Sequence, residues 1–79
     1  SRSFVLGGEA RLGVCERMVE SAEGAFADIR GEAETLAGLR LELKRDFPHK
    51  GDSFTAHGFR FTVQEMEGHR IDKIRVDLL

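Results

Sequence analysis

Apolar and polar positions change period midway along the chain. Leu36, Leu39 and Leu43 fall at i, i+3 and i+7 with Ala37 and Leu41 flanking, a spacing that lines one side of a helix. Thr35 stands where a hydroxyl can take an orphan backbone N–H, so it is the predicted N-cap. Glu32 and Glu34 sit near the positive end of the helix dipole, and Lys44 and Arg45 are assigned to the last turn, at its negative end. Pro48 cannot continue the helix and disfavours helical geometry at Phe47.

Beyond Lys50-Gly51-Asp52, which reads as a turn, the period becomes two. Ser53 to Ala56 is a predicted strand, His57-Gly58 a two-residue hairpin loop, and Phe59, Phe61 and Val63 alternate with Arg60, Thr62 and Gln64, the pattern of a strand with one face on a core. Glu67-Gly68 forms a second turn. The final strand places Ile74, Val76 and Leu78 on one face against Arg75 and Asp77. Ile71 falls out of that phase, which predicts a bulge near Asp72-Lys73.

The first half is less regular. Phe4, Val5 and Leu6 before Gly7-Gly8 read as a short strand entering a tight turn, with Ala10, Arg11 and Leu12 as a return strand. From Gly13 to about Ala22 a short helix is expected, with Val14, Met18 and Ala22 on its apolar stripe, Cys15 and Val19 alongside, and Gly24 ending it. Residues 24–34 read as a loop pinned to the core at Phe26 and Ile29. Together these elements predict an α+β fold, a small mostly antiparallel sheet with two helices on one face.

With 79 residues the chain forms one domain, assigned to residues 4–79, and a domain this small buries only roughly 60% of its unfolded surface. With Ser1 in place of Met, an excised or processed piece is expected, with residues 1–3 read as a linker or an expression remnant. No apolar run reaches the roughly 20 residues of a membrane span, and no leader of the signal-peptide type is present. Cys15 alone allows no internal disulfide and fits a reducing compartment. The net charge of −2 is not that of a nucleic-acid binder. Its distribution is uneven, with four Arg against seven acids in residues 1–39 and eight Lys or Arg against seven acids in residues 40–79. Glu16, Glu20, Glu23, Asp28, Glu32 and Glu34 are read as a solvated acidic face.

Catalytic and ligand patterns are sparse. His49, His57 and His69 follow or occupy turns without metal-ligand spacing, and Cys15 has no second cysteine for a zinc set. Glu65 and Glu67 project to one strand face, where they could hold a hard cation weakly with water completing its shell, but a solvated edge is the favoured reading and no metal is assigned. Cys15 reads as a small buried hydrophobe and not a nucleophile. Ser3, Ser21 and Ser53 lack a nucleophile elbow, and Gly7-Gly8 lacks the rest of a dinucleotide fingerprint. Neither a cofactor nor an enzymatic activity is assigned. Phe54, Phe59 and Phe61 are read as core and not as a nucleic-acid stacking platform. The polar strand face with Arg60, Arg70, Lys73 and Arg75 is the expected partner-docking surface, and an exposed sheet edge would permit a homodimer.

At Thr35-Leu36-Ala37-Gly38-Leu39, Phe47-Pro48, Gly51-Asp52, Gly58-Phe59-Arg60-Phe61-Thr62-Val63 and Arg70-Ile71-Asp72-Lys73-Ile74-Arg75-Val76, the chain resembles the CorC/HlyC transporter-associated domain. It is similar to the C-terminal module of hemolysin-like CBS-domain membrane proteins of the magnesium and cobalt efflux group, in the version of gliding-motility-associated relatives. The resemblance implies a fold similar to the C-terminal part of PCMH-type FAD-binding domains. It also implies a parent chain with a membrane domain and paired CBS modules, a place on the cytoplasmic face of the inner membrane, and an accessory role in ion transport. No family chemistry carries over to individual residues. Gly13 to Met18 and the acidic segment before Thr35 depart from the family pattern. The expected function is docking and modulation of transport, and the alternative is a module that senses a divalent cation or an adenine nucleotide.

Overall fold

Alternation in the second half builds the sheet. The computed structural model describes residues 2–18, 26, 28, 31–56 and 58–79. Within it, strands β1 (Ser3–Gly7), β2 (Ser53–Ala56), β3 (Phe59–Glu67) and β4 (Arg70–Leu78) and helices α1 (Leu12–Met18) and α2 (Leu36–Leu43) follow in the order β1-α1-α2-β2-β3-β4. The strands form one antiparallel sheet in the order β1-β4-β3-β2.

Register puts the apolar set of each strand on one face. Phe59, Phe61 and Val63 lie opposite Leu78, Val76 and Ile74, while Phe4 and Leu6 extend the Val76 and Ile74 rows onto β1. Leu12, Cys15, Leu36 and Leu39 cover this face in a single core cluster, so both helices lie on one side, as the period change predicts. Each fully buried Leu, Ile or Phe in it contributes roughly 1.5–3 kcal/mol. Phe26 closes the core, its ring edge-on to Phe59 and Phe61, each 5.8 Å away. Phe54 stacks on Phe61 at 4.8 Å. Gly58 takes φ 82° in its hairpin, a conformation open to glycine.

The bulge foreseen from Ile71 is present, and a second one compensates it. Between Val63 and Glu65 the register advances by an extra residue, Gln64, on β3, and between Glu65 and Met66 by an extra residue, Asp72, on β4. The slips cancel, which lets Ile71 return to the buried face and lets both strands run to nine residues.

Three local expectations are corrected. Ala10 to Leu12 is not a return strand: Arg11 bridges Thr35, the Leu12 N–H donates to the Glu34 carbonyl at 2.9 Å and the Leu36 N–H to Ala10 at 3.0 Å. β1 pairs with β4 because its apolar residues continue that strand's inner rows. In α1 the buried residues are Leu12, Cys15 and Glu16, and Val14 is exposed; the Met18 side chain, and Val19, Ala22, Gly24 and Ile29, lie outside the described residues. Finally, α2 ends at Leu43, with Lys44 already extended at φ −137° as C-cap, so Lys44 and Arg45 are not in its last turn. At the other end, Thr35 caps the helix as expected, its Oγ1 accepting from the Gly38 N–H at 3.1 Å.

Candidate docking surfaces

Residues that alternate with the core rows form the outer face of the sheet. Its rows run Ser3, Asp77, Arg60, Thr55, then Val5, Arg75, Thr62, Ser53, then Gly7, Lys73, Glu65, and last Arg70 with Glu67. Arg60, Lys73, Arg75 and Arg70 are all exposed and lie along β3 and β4. Acids are interspersed among them. The Arg75 Nε donates to Asp77 Oδ1 at 2.9 Å, and the Ser3 hydroxyl donates to the same oxygen. The Ser3 hydroxyl, opposed by burial and then aided by Arg75 and the nearby Arg60, holds the Asp77 carboxyl below its ordinary range. This face carries both signs of charge in alternation.

Glu65 and Glu67 do share that face, flanking the inward Met66. Cations stand next to both. Lys73 is opposite Glu65 and Arg70 opposite Glu67, and the Lys50 Nζ is 3.8 Å from Glu65 Oε1. These positive charges compete with any metal ion for the carboxylates. Among the described residues no three His, Cys, Asp or Glu side chains are grouped as a metal site would need. His49 and His69 are exposed on separate turns, and His57 lies outside the described residues.

Cys15 is fully buried. Burial, and secondarily the neighbouring Glu16, push its thiol up to about 11, so the thiolate that nucleophilic chemistry needs is disfavoured. Glu16 is itself buried and accepts the Phe26 N–H at 3.2 Å, which removes it from the solvated acidic face. Asp28, Glu32 and Glu34 are exposed as expected, and Glu20, Glu23 and Ser21 lie outside the described residues.

Two features escaped the sequence. Arg40 is 2% exposed; its guanidinium donates to the carbonyls of Lys44 and Asp46 at 2.9 and 3.0 Å, to Asp46 Oδ1 at 2.8 Å and to Asp52 Oδ2 at 3.2 Å. By collecting carbonyls past the helix it draws the chain out of α2 and ties it to the start of β2. The signal was available, since position 40 completes the i, i+3, i+4 set begun by Leu36 and Leu39. The other is an open groove of about 460 Å³ beside α2, floored by Ala37, Leu41, Phe47, Pro48 and Ile71 and rimmed by Glu9, Arg45, Asp46, His69 and Arg70. Arg70, assigned from sequence to the sheet face, reaches Glu9 and borders this groove.

Solved structures with the same arrangement include transporter associated domains. The transporter associated domain of a CBS domain protein from Porphyromonas gingivalis is 34% identical, with a TM-score of 0.89 over 98% of this chain and 88% of that one. A CorC_HlyC domain from a Xylella fastidiosa hemolysin, solved in complex with Mg++ and Mn++, is 25% identical, with a TM-score of 0.79 over 98% of this chain and 87% of that one. A conserved domain from Neisseria meningitidis is 27% identical, with a TM-score of 0.78 over 99% of both chains. No protein of curated function matches the chain. The family profile described as "Transporter associated domain", CorC_HlyC, covers residues 1–79, and with it the motifs from Thr35 to Val76 and the four-stranded sheet have one explanation: the chain belongs to the CorC/HlyC family of transporter-associated domains.

Proposed function

We propose that this domain is a non-catalytic accessory unit on the cytoplasmic side of a CBS-domain ion transporter, acting by docking to the transporter's own modules through the outer face of its sheet. The observation that carries this is the likeness, along 98% of the chain and at 34% identity, to a domain of a CBS domain protein. Arg60, Lys73 and Arg75 supply exposed cations, and the interspersed Asp77, Glu65 and Glu67 fix the pattern a partner must match. Alternating charge of this kind selects partner and register more than it adds affinity. No helix among the described residues is long and apolar enough to cross a membrane, so in this reading the spans belong to other parts of the parent chain. In the intact parent protein, the triple reversal Arg60→Glu, Lys73→Glu, Arg75→Glu is expected to change ion flux in proteoliposomes several-fold with the protein level unchanged. Flux indistinguishable from the parent's would remove the basis for docking through this face.

A second reading, sensing of a divalent cation, is favoured by the Mg++ and Mn++ held by the Xylella relative. Titration calorimetry with Mg²⁺, Mn²⁺, AMP and ATP separates the two: saturable one-site heat supports sensing, and featureless dilution heats support docking alone.

A further inference from the structure

The sheet ends in two open edges, β1 and β2. The ladder fixes which backbone groups of β1 are turned outward. The Leu78 N–H donates to the Arg2 carbonyl and the Gly8 N–H to the Asp72 carbonyl, both at 2.9 Å, and antiparallel partners alternate between bonded and non-bonded pairs. Phe4 and Leu6 therefore exchange bonds with Val76 and Ile74, while the N–H and C=O groups of Ser3, Val5 and Gly7 point away from β4. Of these the Gly7 carbonyl accepts the Ala10 N–H at 3.0 Å, and the others have no protein partner among the described residues. Proteins guard such edges with charge, proline or a bulge. Ser3–Gly7 carries none of these.

We infer that two copies of the chain pair antiparallel through their β1 edges, about a two-fold axis at Val5, joining their sheets into one. Three features of the edge select a second copy as the occupant. The first is parity. With Val5 opposite Val5 of the second copy, Ser3 meets Gly7 and Gly7 meets Ser3, so outward groups face outward groups along the whole strand. The second is side-chain match. Val5, 51% exposed on an otherwise polar face, covers its own counterpart, and on the inner face the half-buried Phe4 and Leu6 meet Leu6 and Phe4, carrying the core rows across the junction. The third is charge. The row Asp77-Ser3 runs into Gly7-Lys73 of the second copy, setting acid toward base about 14 Å apart at Cα, three strand spacings, with only a serine and a glycine between. Lys73 forms no ion pair within its own chain among the described residues, and Asp77 Oδ2 accepts no hydrogen bond there. Arg75, on the Val5 row, is already neutralised by Asp77. The opposite edge lacks this match. Rows that end at β2 reach Arg60 and Arg75 as their first charges, so two-fold pairing there turns cation toward cation.

A contact confined to two strands of five residues is smaller than a standard interface, so it is reversible at micromolar to millimolar concentration.

Sedimentation velocity of the chain over that range is expected to show a monomer–dimer shift. Val5→Lys and Val5→Glu each set like charges face to face at the axis and should weaken it at least tenfold, with unchanged far-UV dichroism. An equimolar mixture of the two should recover it, because opposite charges then meet. Phe47→Ser, on the helix side, should leave the dimerisation constant unaltered. As the unsubstituted chain dimerises, hydrogen exchange at the Ser3 and Val5 amides should slow while that at Ser53 and Thr55 does not, a readout that stands even if a Val5 variant misfolds. A monomer at every concentration overturns the proposal and leaves the edge to a strand of another protein. So does a dimer indifferent to Val5→Lys, a folded mixture that stays monomeric, or protection that appears at Ser53 and Thr55 instead. These variants alter no charged residue of the outer face, so this pairing can fail while docking through Arg60, Lys73 and Arg75 stands, and the reverse.

Discussion

Arg40 shows how one side chain sets the local course of the backbone. It is the most enclosed charged residue among the described residues, and it binds two carbonyls and two carboxylates supplied by Lys44, Asp46 and Asp52. Lysine in its place keeps the charge but offers a point donor where a planar fork is needed. Arg40→Lys is therefore expected to lower stability by about 1–3 kcal/mol through carbonyls left unsatisfied, a Tm loss on the order of 4–8 °C per kcal/mol for a domain of this size. The same variant has a pH signature. Asp52 is held below its ordinary value of 3.8, first by the His49 backbone N–H and then by Arg40, with burial opposing. A depressed carboxyl pKa stabilises the fold above the ordinary value, and that contribution fades as pH falls from 3.8 through the lower folded value. The stability gap between wild type and Arg40→Lys should therefore narrow below about pH 4, as urea unfolding at stepped pH would reveal. A gap that is constant down to pH 2 would mean that Asp52 takes no part in the clamp.

Among the elements, two glycines near the first helix have opposite roles. A Cβ built on Gly8 would fall 2.1 Å from the Ile71 carbonyl oxygen, a backbone atom, so the chain between β1 and α1 can lie against β4 only if that residue has no side chain. Gly13 is in the first turn of α1 with nothing within 4 Å of its would-be Cβ. Gly13→Ala is expected to stabilise the domain by about 0.5–1 kcal/mol, from helix propensity and a less free unfolded chain. Gly8→Ala should destabilise it by at least about 2 kcal/mol, as a steric clash in packed structure does. Thermal unfolding of the two variants checks both signs, and equal effects would contradict this packing of β1 on β4. The sequence alone showed Gly7-Gly8 as a tight turn but not the neighbour across it, because close approach between segments more than sixty residues apart leaves no periodic trace. The strands of the second half were readable for the opposite reason, since Phe59, Phe61 and Val63 encode their face in a period of two. α1 was placed but misfaced: seven residues hold less than two turns' worth of pattern, and buried Glu16 looks polar until Phe26 is seen to donate to it.

For the molecule as a whole, Cys15 gives a native reporter of cohesion. It occupies one cluster with Phe61, Ile74 and Val76, although it comes from a seven-residue helix too short to persist in isolation. If helix and sheet share a single core, α1 cannot detach alone, and the thiol is exposed only when the sheet also opens. Its labelling at pH 8 should then be slow in the native state, both because the side chain is enclosed and because a thiol raised to about 11 is mostly protonated there. Adding urea should accelerate labelling with the same slope as global unfolding, since that slope scales with the surface exposed in the opening event. A slope well below the global value would mean that α1 opens as a separate unit, leaving the sheet and α2 as the cohesive part. The family match says nothing on this point, because shared topology fixes which elements meet and not how much free energy joins them. Among the described residues the join rests on Leu12 and Cys15 from α1 and on Leu36 and Leu39 from α2, so losing either pair exposes the same inner rows of β3 and β4.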